Sequence, residues 1–216
     1  FLRFAPASAP AAGNTVLDLR IPELRAGEKL LAQNVELFVR GSERIGILGR
    51  NGTGKTTLLR QIAHKLLSRH DLQAGYMPQD YEESLPLEET PVAYLAPSGS
   101  REEETRARTF LGSIRFAQEE MFHPIRDLSG GQKAKLLLTK FMLDKTDVLI
   151  LDEPTRNFSP LSGPQVRRVL SSFPGVIISV SHDRKYLSEV CDKLYTLTEN
   201  GLLLTDKNSL WNDDLL

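Results

Sequence analysis

A glycine-rich segment constrains the fold of this chain more than any other feature. Residues 49–56 read Gly-Arg-Asn-Gly-Thr-Gly-Lys-Thr and fit the pattern G-x-x-x-x-G-K-[ST]. Arg44–Leu48, just before it, predicts a strand, and Lys55–Leu67, just after it, has apolar residues at helical spacing. Glycines let backbone N–H groups close around phosphate oxygens, and a helix adds its positive end. We predict a phosphate-binding loop; a chance glycine-rich turn is the alternative.

Two residues of this loop have predicted roles of their own. Lys55 is expected to reach the β and γ phosphates, and the Thr56 hydroxyl is expected to bind Mg²⁺. Lys55 should point at phosphate from an exposed position rather than into the core.

A second candidate site follows the apolar run Val148–Leu151, which predicts a strand buried on both faces. Asp152 and Glu153 come at its end, and carboxylates at the carboxyl end of a parallel strand lie where ligands bind. We predict that Asp152 holds Mg²⁺ and that Glu153 is the general base facing the attacking water. A solvated acidic turn is the alternative.

The segment Leu128–Gln132 reads Leu-Ser-Gly-Gly-Gln and precedes a predicted helix over Lys133–Leu143. A serine and two glycines at the start of a helix can form a second anion-binding site. An ordinary helix cap is the alternative reading. One phosphate loop is enough for one nucleotide, so a second such site suggests a nucleotide held elsewhere.

The remaining pattern predicts an α/β fold with a parallel-sheet core, an N-terminal antiparallel edge and a helical insertion. Residues 1–14 read as a linker remnant and 15–216 as one domain, with a helical subdomain over approximately 80–143 that includes a helix over Glu102–Gln118. A hairpin turn is predicted at Asn200-Gly201. The further predicted strands are Val16–Ile21, Leu30–Val39, Ala74–Pro78, Val176–Val180, Lys193–Thr198 and Leu202–Thr205.

Composition excludes several classes of protein. Lys and Arg number 27 and Asp and Glu 28, a net charge of −1, which argues against a strongly basic nucleic-acid-binding module. A single cysteine, Cys191, excludes a disulfide scaffold and a cysteine-based zinc site. It fits a reducing, cytoplasmic location, and we expect it to be packed and inert. No run approaches the ~18 apolar residues of a membrane span.

The order of these motifs resembles the ATP-binding cassette (ABC) superfamily over nearly the whole chain. The motifs are the phosphate loop, Gln79 after a strand, Leu128–Gln132, the Asp152-Glu153 strand and Ser181–Asp183. The resemblance implies that two cassettes enclose two ATP molecules, so that the phosphate loop of each faces the Leu128–Gln132 motif, the ABC signature, of the other. It also implies that Gln79 senses Mg²⁺ and the γ-phosphate, and that His182 contacts the γ-phosphate. Read alone, His182 is more typical of a satisfied polar residue.

Three local features are similar to the ABC-F proteins, soluble tandem-cassette ATPases that act on ribosomes and in some cases confer antibiotic resistance. They are the run over 181–187, the stretch from Thr109 through Pro124-Ile125 to Leu128, and a short insertion after Gln79. The resemblance implies a ribosome as partner, and the start at Phe1 suggests an isolated second cassette. The alternatives are the ATP-binding subunit of a membrane transporter and a non-hydrolysing nucleotide-binding or dimerisation module.

The sequence also departs from the family pattern. Ser159 stands where ABC-F proteins commonly have an acidic residue, and no aromatic residue that could stack on adenine lies between Gly13 and Phe38. Trp211 is expected to pack rather than to stack on a base. Five arginines of the insertion predict either a solvated helix surface with i,i+4 ion pairs or a contact with ribosomal RNA phosphates. They are Arg101, Arg106, Arg108, Arg115 and Arg126.

The predicted site comprises three groups of residues, with ATP and Mg²⁺ as ligands. The catalytic residues are Glu153, His182 and Lys55. The nucleotide-binding residues are Gly49, Arg50, Asn51, Gly52, Thr53, Gly54, Lys55, Thr56, Thr57, Gln79, Ser129, Gly130, Gly131 and Gln132. The metal-binding residues are Thr56, Gln79 and Asp152.

Overall fold

The computed structural model describes residues 13–160 and 162–211, so most of the predicted linker remnant lies outside the described residues. The strands are β1 (Thr15–Ala26), β2 (Lys29–Arg40), β3 (Arg44–Leu48), β4 (Ala74–Met77), β5 (Val148–Asp152), β6 (Val176–Val180), β7 (Lys193–Thr198) and β8 (Gly201–Thr205). The α-helices are α1 (Lys55–Leu67), α2 (Pro91–Leu95), α3 (Arg101–Ser113), α4 (Gly130–Leu143), α5 (Gly163–Ser171) and α6 (Arg184–Val190). The 3₁₀ helices are Tyr81–Glu83, Glu119–Met121, Ile125–Asp127 and Lys207–Trp211.

Six strands form the central sheet in the order β4-β5-β6-β3-β7-β8. All neighbours pair in parallel except β7 and β8, which form the predicted antiparallel hairpin with Thr198 opposite Gly201. Every residue of β5 and of β6 is buried, which explains why these strands are apolar without alternation. The α/β fold with a parallel core is therefore confirmed.

The strand order determines where the loops meet. β3, β6 and β5 are adjacent and parallel, so their carboxyl ends lie side by side at one edge of the sheet. The loops that leave this edge begin at Gly49, Ser181 and Glu153. Segments far apart in the sequence therefore come together at one rim, as in other open parallel sheets.

Two hydrophobic clusters lie on the two faces of this sheet. On one face, α1 packs with the separate antiparallel pair β1-β2, the predicted N-terminal edge, through residues such as Leu24, Leu37, Leu58 and Ile62. On the other face, the helical segments between β4 and β5 pack with α5 and α6. α1 is thus held between β1-β2 and the sheet, which fixes the direction of the phosphate loop before it.

The helical segments between β4 and β5, which we call the arm (residues 80–143), differ from the prediction in two places. The helix predicted over Glu102–Gln118 ends earlier, because α3 stops at Ser113 and Arg115 has a left-handed backbone with φ of 66°. Ile114 and Phe116 are nevertheless buried, which accounts for the extended apolar pattern. The helix predicted from Lys133 begins at Gly130.

Three smaller predictions can be compared with the structure. Cys191 is buried as predicted, and burial raises the pKa of its thiol to about 12. Trp211 is 58% exposed, so the expectation that it packs is wrong. Arg108 forms the expected i,i+4 ion pair with Glu104, and Arg126 pairs with Glu88.

Within residues 13–160 and 162–211, no helix has both the length and the apolar character needed to cross a membrane.

Candidate functional site

The glycine-rich loop turns sharply between β3 and α1. Gly54 is the N-cap of α1 with φ of 100°, and a Cβ atom there would lie 2.8 Å from the Leu31 side chain. Gly49 has φ of 145°, and a Cβ atom there would lie 3.0 Å from the carbonyl oxygen of Leu197. Only glycine adopts these positive φ angles without strain and has no Cβ atom to clash with these neighbours. The loop before the first turn of α1 therefore has no Cβ atoms at these two positions, which leaves its backbone accessible to a ligand.

Lys55 lies at the junction of this loop and α1 but is not exposed, contrary to our expectation. It is 7% exposed, and its Nζ donates hydrogen bonds to the carbonyl oxygens of Gly49 (2.7 Å) and Arg50 (2.9 Å). Burial lowers the pKa of the Lys55 ammonium, and the nearby carboxylates Glu153 and Asp152 oppose that shift. The loop thus wraps around a cation with few water contacts, where its attraction for an anion is strong.

Asp152, at the carboxyl end of β5, has the features expected of a metal ligand. Its side chain is buried, and burial raises the pKa of this carboxyl, although a hydrogen bond with the Thr56 side chain lowers it. One carboxylate oxygen, Oδ2, is buried without a hydrogen-bond partner among the described residues. An unpartnered buried carboxylate oxygen beside a threonine hydroxyl is an oxygen-rich arrangement that suits Mg²⁺. The residues present therefore fit the ion.

Glu153 and His182 face each other across the ends of β5 and β6. His182 Nε2 lies 3.7 Å from Glu153 Oε1, and Glu153 Oε2 accepts hydrogen bonds from Ser181 Oγ and the His182 backbone N–H, both at 3.3 Å. Burial raises the pKa of Glu153, and burial with the nearby Lys55 lowers that of His182. The two side chains are close enough to contact one shared oxygen atom. Ser181, which the sequence places in a motif but to which it assigns no role, is a direct partner of this carboxylate.

The signature segment forms the start of α4. Ser129 is the N-cap, and it exchanges hydrogen bonds with Gln132 in a complete capping box. Gln132 also donates to Glu120 at 2.6 Å. The helix-cap reading is therefore confirmed, and anion binding at Gly130-Gly131 stays a prediction.

Asn157 connects this segment with the loop after Glu153, a contact that sequence reasoning missed. A Cβ atom at Gly131 would lie 3.1 Å from the Asn157 carbonyl oxygen, and one at Gly130 would lie 3.4 Å from Asn157 Cγ. The Asn157 side chain also lies close to the Tyr81 phenol, whose pKa is raised by burial. No sequence signal links residues this far apart.

Gln79 lies in an exposed bend after β4, the edge strand next to β5. The 3₁₀ helix that follows is tied to two helices: Glu83 pairs with Arg60 of α1 at 2.8 Å, and Glu82 pairs with Lys133 of α4 at 2.6 Å. The segment after Gln79 therefore contacts both the helix of the phosphate loop and the helix of the signature.

A cleft of about 630 Å³ lies between β1 and α1, the helix that follows the phosphate loop. Thr57, Leu19 and Ala26 are among its lining residues. In the part of the chain that the structure describes, this lining contains no Phe, Tyr or Trp.

Comparisons with known proteins agree with this geometry. The family model described as "ABC transporter" matches residues 32–156, more than half of the chain. A structure of the ATP-binding cassette MJ0796, a dimeric post-hydrolysis state bound to ADP and phosphate, superposes with a TM-score of 0.70 at 17% identity. It covers 92% of this chain and 97% of that one, which shows a shared fold.

Several curated relatives are similar in sequence. They include "Probable ATP-binding protein YheS" of Escherichia coli K12 (32% identity over 88% of this chain) and "Ribosome protection protein VmlR" of Bacillus subtilis (29% over 93%). "ABC transporter F family member 5" of Arabidopsis thaliana is 28% identical over 88% of this chain. The chain spans 31%, 38% and 29% of these three proteins, about a third of their length. It belongs to the ABC family, as an ATP-binding cassette whose relatives include ABC-F proteins.

Proposed function

We propose that this cassette hydrolyses ATP to ADP and phosphate, with Glu153 as general base. The observation that carries the proposal is the Glu153–His182 pair, 3.7 Å apart, on the same sheet edge as Lys55. A carboxylate whose pKa is raised by burial is a better base than an exposed one, so it can take a proton from water more readily. His182, whose pKa is lowered, is neutral near pH 7 and can donate or accept a hydrogen bond.

The remaining residues of the site bind and orient the phosphates. The backbone N–H groups of the loop and of the α1 N-terminus donate hydrogen bonds to the phosphate oxygens, and Lys55 neutralises part of the phosphate charge. Thr56, Asp152 and Gln79 would hold Mg²⁺. When bound, this ion shields the phosphate charge that otherwise repels an approaching nucleophile.

We further propose that a second cassette completes the site. Ser129 and Gln132 direct their side-chain hydrogen bonds to each other and to Glu120 within the arm. The free N–H groups at the start of α4 are then available to a nucleotide bound by another cassette. The relatives are about three times as long as this chain, which leaves room for a second cassette in each.

The partner we propose for the cassette pair is the ribosome, and the compartment is the cytoplasm. Support for the ribosome comes from the relative named as a ribosome protection protein. Support for a reducing compartment comes from the free, buried Cys191.

The test uses the natural full-length protein and Glu153→Gln. Gln keeps the shape of the side chain but cannot take up a proton, so we expect turnover to fall about 10²–10⁴-fold while Mg·ATP binding is retained. The variant should then pellet with ribosomes in the presence of ATP, and less with ADP or without nucleotide. Unchanged turnover would contradict the base, and equal pelleting in all three conditions would contradict the ATP-dependent ribosome contact.

The isolated chain provides a separate test of the second cassette. If two chains must meet to complete a site, the turnover per chain should rise with protein concentration. Fast hydrolysis with a rate per chain that is constant down to nanomolar protein would contradict the composite site.

A further inference from the structure

The backbone at Glu153 is held in an unfavourable conformation. Its φ is 51°, in the left-handed region that costs a residue other than glycine about 1 kcal/mol or more. The Glu153 N–H donates to the Val180 carbonyl oxygen at 2.9 Å, which anchors the backbone to β6. The two hydrogen bonds to its carboxylate are long, 3.3 Å each, and long hydrogen bonds are weak. Further contacts must therefore keep this loop in place.

A shorter hydrogen bond lies two residues farther along the loop. Thr155 Oγ1 donates to Asp183 Oδ2 at 2.9 Å, and both side chains are partly buried. Asp183 is itself fixed, because its Oδ1 accepts from the backbone N–H groups of Lys185 (2.9 Å) and Tyr186 (3.1 Å) at the start of α6. The Thr155 hydroxyl thus binds a carboxylate that cannot turn without uncapping α6.

These contacts close a ring. One side of it is Glu153–Thr155 and the other is His182–Asp183; Glu153 contacts His182 at one end, and Thr155 contacts Asp183 at the other. Ser181 braces the second side, since its Oγ accepts from the Asp183 N–H at 3.1 Å. Two loops that lie 28 residues apart in the sequence are therefore connected at both ends.

We propose that Thr155 and Asp183 are positioning residues that set the separation between Glu153 and His182. The inference rests on the proposed ATPase function of that pair. Thr155 acts by holding the base in place and not by contacting the reacting atoms. Displacing a catalytic group by about 1 Å can reduce the rate by up to about 10²-fold. Loss of the hydrogen bond that positions Glu153 can therefore have a large effect on kcat.

The test is Thr155→Val in the natural full-length protein, because valine keeps the shape and removes the donor. We expect kcat for ATP to fall about tenfold with little change in KM or in Mg·ATP affinity. Thr155→Ser, which restores the hydroxyl, should return kcat to near the wild-type value. Thr205→Val is the matched control, since it removes a partly buried hydroxyl that contacts the Thr196 hydroxyl, at a β8 position that pairs with Leu194 at the amino end of β7, away from the carboxyl edge of the sheet.

The outcomes separate this inference from the proposed function. Wild-type kcat in Thr155→Val, or a Thr155→Ser variant as slow as Thr155→Val, would overturn the positioning role. If Glu153→Gln is inactive in the same assay while Thr155→Val is fully active, only the positioning role fails. If Glu153→Gln retains full turnover, the proposed base and the positioning role both fail. Unchanged Mg·ATP affinity in the variants shows that a slow rate does not come from misfolding.

Discussion

The carbonyl oxygen of Asn157 lies 3.1 Å from the point that a Cβ atom of Gly131 would occupy. The corresponding point at the neighbouring Gly130 is 3.4 Å from the nearest Asn157 atom, an ordinary van der Waals contact. Both glycines lie in the first turn of α4, so an added methyl group has a similar effect on the helix itself. The two positions differ in the space that Asn157 leaves.

We therefore expect Gly131→Ala to be less stable than Gly130→Ala by about 1 kcal/mol, since the Asn157 backbone must move to admit the methyl group. Chemical denaturation of the two variants measures the difference. Equal stability of the two variants would contradict the prediction, because it would show that the Asn157 loop moves at no cost in free energy.

Lys55→Ala should abolish binding of Mg·ATP, because Lys55 supplies the buried cation of the phosphate loop. It should also lower stability by about 1 kcal/mol, since the Gly49 and Arg50 carbonyl oxygens lose their donor. Calorimetric titration and denaturation measure the two effects. Lys65→Ala is the control: this exposed lysine of the same helix donates to the Asp18 carbonyl oxygen of β1 and not to the loop, so the variant should bind normally. Undiminished ATP affinity in Lys55→Ala would contradict the assignment of the loop.

Glu153→Gln should change how stability depends on pH. Burial raises the pKa of this carboxyl above its ordinary 4.5 in the folded protein, so the folded state holds the proton more tightly than the unfolded chain. The stability that this group contributes is complete below the unfolded pKa and is lost as pH rises through the raised pKa. Gln stays neutral, so the variant should melt at a higher temperature than wild type at pH 7.

The difference in melting temperature should shrink as the pH falls through the raised pKa of Glu153 and should vanish below 4.5, where the wild-type carboxyl is protonated in both states. Thermal melting across this pH range is the measurement. Glu199→Gln, at an exposed turn position, serves as control and should follow wild type throughout. A wild-type protein that is the more stable of the two at pH 7 would contradict the prediction.

Gly75→Ala tests the packing between the sheet and the arm. A Cβ atom at Gly75 in β4 would lie 2.7–3.0 Å from three ring atoms of Phe141, so we expect a loss of about 1–3 kcal/mol. Gly112→Ala is the matched control: it lies in α3, and only Met121 Cε comes as near as 4.0 Å. Alanine should be neutral there or stabilising by up to about 1 kcal/mol, because it favours a helix over glycine. Urea denaturation of both variants distinguishes a crowded from an open position.

The sequence predicted the sheet and the location of the candidate site because those features depend on local patterns. The fully buried strands β5 and β6 appear as apolar runs, and the phosphate loop appears as glycines at fixed spacing. Motifs that end such strands must meet at the carboxyl edge of the sheet, so Asp152, Glu153 and His182 could be placed there without coordinates.

Other features depended on contacts that local patterns do not encode. The burial of Lys55 comes from its folding onto carbonyl groups of its own loop. Helix α3 ends at Ser113, and Arg115 then has a left-handed backbone, a conformation that an arginine in the sequence does not predict. The packing of Asn157 against Gly131 brings the loop after Glu153 to the first turn of α4, and no local sequence pattern relates these two segments.

The strand order also determines when the site can form during folding. β3, which leads into the phosphate loop, has β6 and β7 as its neighbours, and the Ser179 hydroxyl donates to the Ile45 carbonyl across 134 residues. Pairings of such long range close large loops and are late and slow steps in folding. During synthesis, β3 and the phosphate loop (residues 44–54) are made long before the two strands that flank β3. The sheet around β3 is therefore complete only after residues 176–198 have been made. The nucleotide site is completed only near the end of translation of this segment, so a chain interrupted before β6 carries the phosphate loop on a strand that lacks both of its neighbours.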